Sequence, residues 1–201
     1  MHCADLPVLQ EHQSLEKRTC FVRMKNDRAY KLMGEDKAFS LYSSQHIHFL
    51  KHGDIIDLGG NIKLEIYETP GHTKGSLCFI CRAFRCAFTG DNLLDNTVLL
   101  HLPEAASLEK YARSLDILLD LSEQEIDTFF TAHGCGTANR TLLQNLIQCC
   151  TDVQKNIDDK MPWNYFSIPC LLARRAHVNG NNLLSRDDGL IGNLAYPAMD
   201  N

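Results

Sequence analysis

Three glycine-marked turns constrain this chain more than anything else in it: Thr69-Pro70-Gly71-His72-Thr73-Lys74-Gly75-Ser76, then Phe88-Thr89-Gly90-Asp91, then Thr131-Ala132-His133-Gly134. Each follows an apolar run with strand character, and each delivers one imidazole or one carboxylate. Strands ending in this way bring His72, Asp91 and His133 to a sheet edge, where a metal site can be assembled from distant segments. Imidazole with carboxylate suits zinc, iron or manganese, whereas a softer ion would select thiolates. Gly71, Gly75, Gly90 and Gly134 allow tight backbone paths, and the Thr73 and Ser76 hydroxyls can hold the first loop by local hydrogen bonds. Taken singly, His72 could bond within a turn, Asp91 could cap the loop after it, and His133 could fill a core edge. Taken together, the three point to a metal site.

Around these turns the pattern alternates strands with amphipathic helices, the signature of an α/β protein. Ile62, Leu64 and Ile66 alternate with polar neighbours, which predicts a half-buried strand over Asn61 to Glu68 leading into the His72 turn. Cys78 to Cys81 and Cys86 to Thr89 predict a hairpin that places Asp91 at an equivalent edge. Leu108, Tyr111, Leu115, Leu118 and Leu119 keep helical spacing after a Ser107 cap, and Asp127 to Thr131 reads as a short buried strand ending at His133. Leu142, Leu143, Leu146, Ile147, Cys150, Val153 and Ile157 predict a long amphipathic helix. Asp5 is expected to cap a helix through about Leu15, with Pro7 in its first turn. A second short helix is expected over Asp27 to Met33. Arg186 to Gly189, with Ile191 to Pro197, reads as a final turn and strand.

His46-Ile47-His48, with His52 behind it, invites a second metal reading that its context opposes. The run to Leu58 reads as strand, turn at His52-Gly53-Asp54 and strand, so His46 and His48 are expected to share one strand face away from the other three. The cysteines are similar decoys. Cys78 and Cys81 have ribbon spacing, but residues three apart on a strand face opposite sides of the sheet. Cys149 and Cys150 fall in a helix and read as core. Cys135, two residues after His133, is either a plain loop thiol or a group with a redox role.

Composition sets broad limits. The chain has 201 residues, 44% of them hydrophobic and 22% charged, enough for one domain with a true core. Its net charge of -5 leaves no basic patch for nucleic acid or an anionic membrane. No apolar run reaches the length of a membrane span, and the start is too polar for a signal peptide. Nine cysteines without a secretory signal suit a reducing, cytoplasmic setting.

The ordered set TPGHTxGS, FTGD and AHG resembles the metallo-β-lactamase superfamily, which includes glyoxalase II and many hydrolases. The resemblance implies one domain over residues 1–201 with an αββα sandwich, two facing sheets with helices outside and metals in loops along one edge. It further implies a hydroxide, activated by metal ions, that attacks an ester, thioester, lactone, lactam or phosphoester of a small-molecule substrate. In that scheme His72 completes a first metal site, Asp91 bridges two ions and His133 finishes the second site. The HxHxDH motif that supplies most ligands in such proteins stands nowhere in the sequence, and His2 to Leu9 looks like the segment that follows it. The fold is therefore expected to be N-terminally incomplete, with sheet surface open to self-association. The remaining donors are expected to hold at most about one ion, with zinc first and iron or manganese as alternatives and no catalytic residue assigned. Two functions follow: a metal-dependent hydrolase with impaired turnover, or a noncatalytic remnant that binds a partner or small ligand. Fold analogy does not choose the substrate.

Overall fold

The computed structural model describes residues 1–11, 47–165, 168–174, 176–179, 182–185 and 192–198. Its helices are α1 (Leu6–Glu11), α2 (Leu108–Gln124) and α3 (Arg140–Gln154). The strands are β1 (Ile55–Gly59), β2 (Ile62–Glu68), β3 (Leu77–Cys81), β4 (Cys86–Gly90), β5 (Thr97–Leu99), β6 (Thr128–Thr131), β7 (Thr137–Ala138), β8 (Met161–Tyr165), β9 (Ile168–Arg174), β10 (Ala176–Asn179), β11 (Asn182–Ser185) and β12 (Asn193–Tyr196). One sheet has the order β1-β2-β3-β4-β6-β7, a second has the order β5-β12-β9-β8, and β10 pairs with β11. This is the mixed α/β architecture that the alternation of strand and helix patterns predicts.

Strand direction decides where the three turns go. β2 is antiparallel to β3, and β3 is antiparallel to β4, so β2 and β4 run the same way. β4 is in turn parallel to β6, with Phe88 opposite Phe130 and Gly90 opposite Thr131. The C-terminal ends of β2, β4 and β6 therefore share one edge of the sheet. The loops that leave these ends carry His72, Asp91 and His133. A parallel pair needs a crossover, and α2 lies within the one that joins β4 to β6.

Both long helices start on side-chain caps and bury one face. The Ser107 hydroxyl accepts the Lys110 amide at 3.4 Å, and Tyr111, Leu115, Leu118 and Leu121 face inward from α2. Asn139 Oδ1 accepts the Leu142 amide at 3.1 Å, and α3 buries Leu142, Leu143, Leu146, Cys149, Cys150 and Val153. These residues pack with Cys78, Ile80, Ala87 and Phe129 of the larger sheet and with Ala173, Leu194 and Tyr196 of the smaller one. Each fully buried Leu in such a core contributes about 1.5–3 kcal/mol by leaving water. A smaller cluster forms around Cys170, Leu172 and Ala195 with Leu99, Met161 and Trp163. The sheet residues that point the other way include Phe88 and Phe130, both exposed, with ring centroids 5.2 Å apart.

Several local expectations change. His2, not Asp5, caps the first turn, and the Asp5 carboxylate is turned to another task described below. Residues 47–50 form no strand, although β1 and β2 follow the expected turn. Ile157 lies beyond α3 and is 67% exposed, because the chain leaves the helix at Lys155 with Asn156 at φ 58. His46, the Asp27 to Met33 segment and the Arg186 to Gly189 turn lie outside the described residues.

Candidate metal centre

Asp91 stands at the centre of the shared sheet edge. His72 Nε2 is 3.7 Å from its Oδ2, and His133 Nε2 is 3.3 Å from its Oδ1. The fold thus brings together the three residues singled out in the sequence. The His72 ring has a defined tautomer, because Nδ1 lies 3.2 Å from the Leu99 carbonyl, which can only accept. Nδ1 therefore carries the proton, and Nε2 presents either a lone pair or an imidazolium N–H to Asp91. The imidazolium would pair with Asp91 directly, whereas the neutral ring would set a lone pair against a carboxylate oxygen, where a cation between the two would serve both.

The carboxylate carries a feature of its own. Asp91 Oδ1 is buried and accepts no hydrogen bond, and such an atom costs about 1–3 kcal/mol when nothing offsets its desolvation. Two donors each about 2.0–2.1 Å from a tetrahedral ion stand roughly 3.3 Å apart, close to the two spacings found here. Among the described residues no three His, Cys, Asp or Glu side chains close around one point as a finished cage. Each histidine instead meets a different oxygen of Asp91, so the carboxylate lies between them as a bridge. In composition the donor set suits a divalent cation.

Three polar residues hold this arrangement, and none of them stands out in the sequence. Asn92 Oδ1 accepts the His72 amide at 2.8 Å, its Nδ2 donates to the Thr69 carbonyl, and its own carbonyl accepts the Tyr111 hydroxyl at 2.8 Å. Asp5 grips the other side of the His72 loop, accepting the Thr73 hydroxyl at 2.7 Å and the Gly75 amide at 2.8 Å. Asp95 does the same for the third turn, accepting the Cys135 amide at 3.1 Å. Gly134 permits that approach, since a Cβ there would lie 1.9 Å from Asp95 Oδ1. Asp95 also raises the Cys135 thiol pKa by hydrogen bonding, with its negative charge adding to the effect. A reactive cysteine needs the opposite shift, so the environment favours the plain loop thiol.

A third histidine flanks the centre. His101 is 8% exposed, and both its ring nitrogens are buried without a hydrogen-bond partner. It meets the Trp163 and Tyr165 rings edge-on at 6.4 and 5.9 Å between centroids. Burial lowers its pKa, Glu104 works against that shift and His72 adds to it. Burial likewise raises the Tyr165 pKa, with the Asp91 charge in second place. His48 is exposed and enters the region only through its carbonyl, which accepts the Met1 ammonium at 3.0 Å. Met1 and His2 join His72, Thr73, Phe79 and Asp91 around an open pocket of 280 Å³ above the centre.

Comparison with known proteins gives the family and the fold. The profile described as the metallo-beta-lactamase superfamily matches residues 2–133. The chain is 32% identical over 75 residues to the acyl-coenzyme A thioesterase MBLAC2 of Gallus gallus, a stretch covering 37% of this chain and 26% of that protein. With the Homo sapiens protein of the same name it is 27% identical over 88 residues, covering 44% of this chain and 31% of that one. The aligned stretches thus span less than a third of these relatives. Among solved structures, the metallo-beta-lactamase family protein TTHA1429 from Thermus thermophilus superposes with a TM-score of 0.52 at 18% identity, covering 77% of this chain and 52% of that one. The superfamily protein ST1585 from Sulfolobus tokodaii gives 0.50 at 18% identity, covering 76% and 55%. At such identities the superpositions establish the fold alone.

Proposed function

The chain belongs to the metallo-β-lactamase superfamily, and from that premise we propose that it is a metal-dependent hydrolase that cleaves a small-molecule thioester. The convergence of His72 and His133 on opposite oxygens of Asp91 carries this reading. His72, Asp91 and His133 would hold the cation, and zinc suits their chemistry best, with iron or manganese as alternatives. A bound ion supplies Lewis acidity and lowers the pKa of water to near neutrality. The protein's own part is to position and to exclude. Leu99 and Asn92 orient His72, Asp95 fixes the loop of His133, and the Trp163, Tyr165 and His101 rings pack beside the centre. The acyl-coenzyme A thioesterases among the relatives support a thioester over the other bonds cleaved by superfamily members. The free thiols of the described residues support a reducing, cytoplasmic setting. No helix among the described residues is long and apolar enough to cross a membrane.

Turnover of thioester, lactone and phosphodiester probes, measured with zinc and after chelation, tests the proposal. The expected result is thioester hydrolysis that requires metal and disappears in Asp91→Asn and His72→Ala. Hydrolysis indifferent to chelator and to both substitutions would overturn it, and metal-dependent cleavage confined to lactone or phosphodiester would replace the substrate class.

A further inference from the structure

The loop that carries His72 lines the 280 Å³ pocket with His72 and Thr73 and a second cavity, beside helix α2, with Pro70 and Lys74. A groove of 430 Å³ lies there, between Glu68, Pro70 and Lys74 on one side and Lys110, Arg113 and Ile117 on the other. Its volume falls within the roughly 300–1,000 Å³ usual for small-molecule sites. The charge on its walls departs from that of the chain. The chain carries a net -5, whereas the groove gathers three cations against one carboxylate. That carboxylate is occupied elsewhere, since Glu68 Oε1 lies 3.3 Å from His2 Nε2 and accepts the His52 amide at 3.1 Å. Among the described residues Arg113 pairs with Glu109, at 3.3 Å on the exposed face of α2. Lys74 Nζ donates to the Pro103 carbonyl at 3.0 Å, a neutral acceptor. Lys110 stands in the first turn of α2, where the positive end of a seventeen-residue helix adds to the field. Pro70, Ala106 and Ile117 supply an apolar lining.

A cationic wall over an apolar floor selects a ligand with phosphates and a flat, weakly polar body. Lys74 is two residues from His72, so one loop serves both the metal centre and the groove. A ligand that reaches both must be long, anionic at one end and hydrolysable at the other. We propose that this groove binds the phosphorylated adenosine end of a coenzyme A acyl carrier, with Lys74, Lys110 and Arg113 reading its phosphates. The proposal rests on the thioester reading for its reason to exist, but the groove can be tested apart from it. Charge-assisted contacts to phosphate are strong for their number, and contacts as exposed as these weaken with added salt.

The experiment uses the full chain and two exposed substitutions, Lys110→Glu and Arg113→Glu, which alter no core contact. Calorimetric titration with coenzyme A, with adenosine 3′,5′-bisphosphate and with inorganic phosphate gives the direct readout, with and without chelator. The expected result is binding of the first two, at least about tenfold tighter than inorganic phosphate, weakened about tenfold or more by either charge reversal and unaffected by metal removal. In turnover assays, the same substitutions are expected to raise KM for an acyl-coenzyme A while kcat stays unchanged, and to leave an acyl-N-acetylcysteamine thioester untouched. No binding of coenzyme A, or binding indifferent to both charge reversals or no better than that of phosphate, overturns the proposal even if the short thioester is hydrolysed. Charge-sensitive binding of coenzyme A without cleavage of any thioester supports the groove and removes the thioester reading instead.

Discussion

Gly134 shows how narrowly single residues hold the centre. Its φ of +73 strains any residue with a side chain, and an added methyl would strike Asp95 at 1.9 Å. Gly134→Ala is expected to lower stability by about 1–3 kcal/mol and to move His133 off Asp91, so urea unfolding and zinc titration should both register the change. If zinc affinity is unchanged, His133 does not depend on this turn. His101 makes a prediction in pH. Its folded-state pKa is lowered, chiefly by burial, with Glu104 opposing and His72 reinforcing. The unfolded chain therefore binds a proton more readily, and stability is expected to fall as pH drops below about 6.5. Melts at pH 7.5 and 5.5 should show a smaller acid loss in His101→Gln than in the wild type. At this scale the sequence exposes the ligand types and hides their supports. His72, Asp91 and His133 are conspicuous because each is a metal-ligand residue on a glycine turn. Asp5, Asn92 and Asp95 look ordinary, since their partners are 68, 20 and 40 residues away along the chain.

Among the elements, α2 and α3 are legible because their apolar residues keep a helical period, which in α2 follows the Ser107 cap. Leu118 is fully buried on α2, so Leu118→Ala is expected to cost about 2–5 kcal/mol in urea unfolding. A cost below about 1 kcal/mol would mean that the helix packs loosely. Most of the second sheet escapes the same reading. Pro162 and Pro169 argue against strands in a local pattern, yet β8 lies at a sheet edge and Pro169 stands at the second position of β9, where proline is tolerated. β12 falls inside the strand that the sequence reads over Ile191 to Pro197, but its long-range pairing with β5 and β9 shows in no local period. The α1 region carries a prediction of its own. Asp5→Ala removes two acceptor contacts to the His72 loop, and zinc affinity is expected to fall about tenfold or more while the urea midpoint moves little. A large loss of global stability with unaltered zinc affinity would make Asp5 a structural tether only.

For the whole molecule, a cation that binds the folded chain and not the unfolded one must stabilise it. Zinc at about 100 times its dissociation constant should add about 2.7 kcal/mol, raising the melting temperature in the wild type and leaving Asp91→Asn unmoved. An equal shift in both proteins would place the ion elsewhere. The parallel pairing of β4 with β6 carries a kinetic consequence. Asp91 and His133 belong to neighbouring strands whose connection passes through all of α2, so neither can find the other until that long loop has closed. Zinc held by this pair is expected to latch a crossover already made and not to nucleate the fold. When the unfolded chain is diluted into zinc, ion uptake should therefore proceed at the rate of refolding and stay constant as zinc concentration rises.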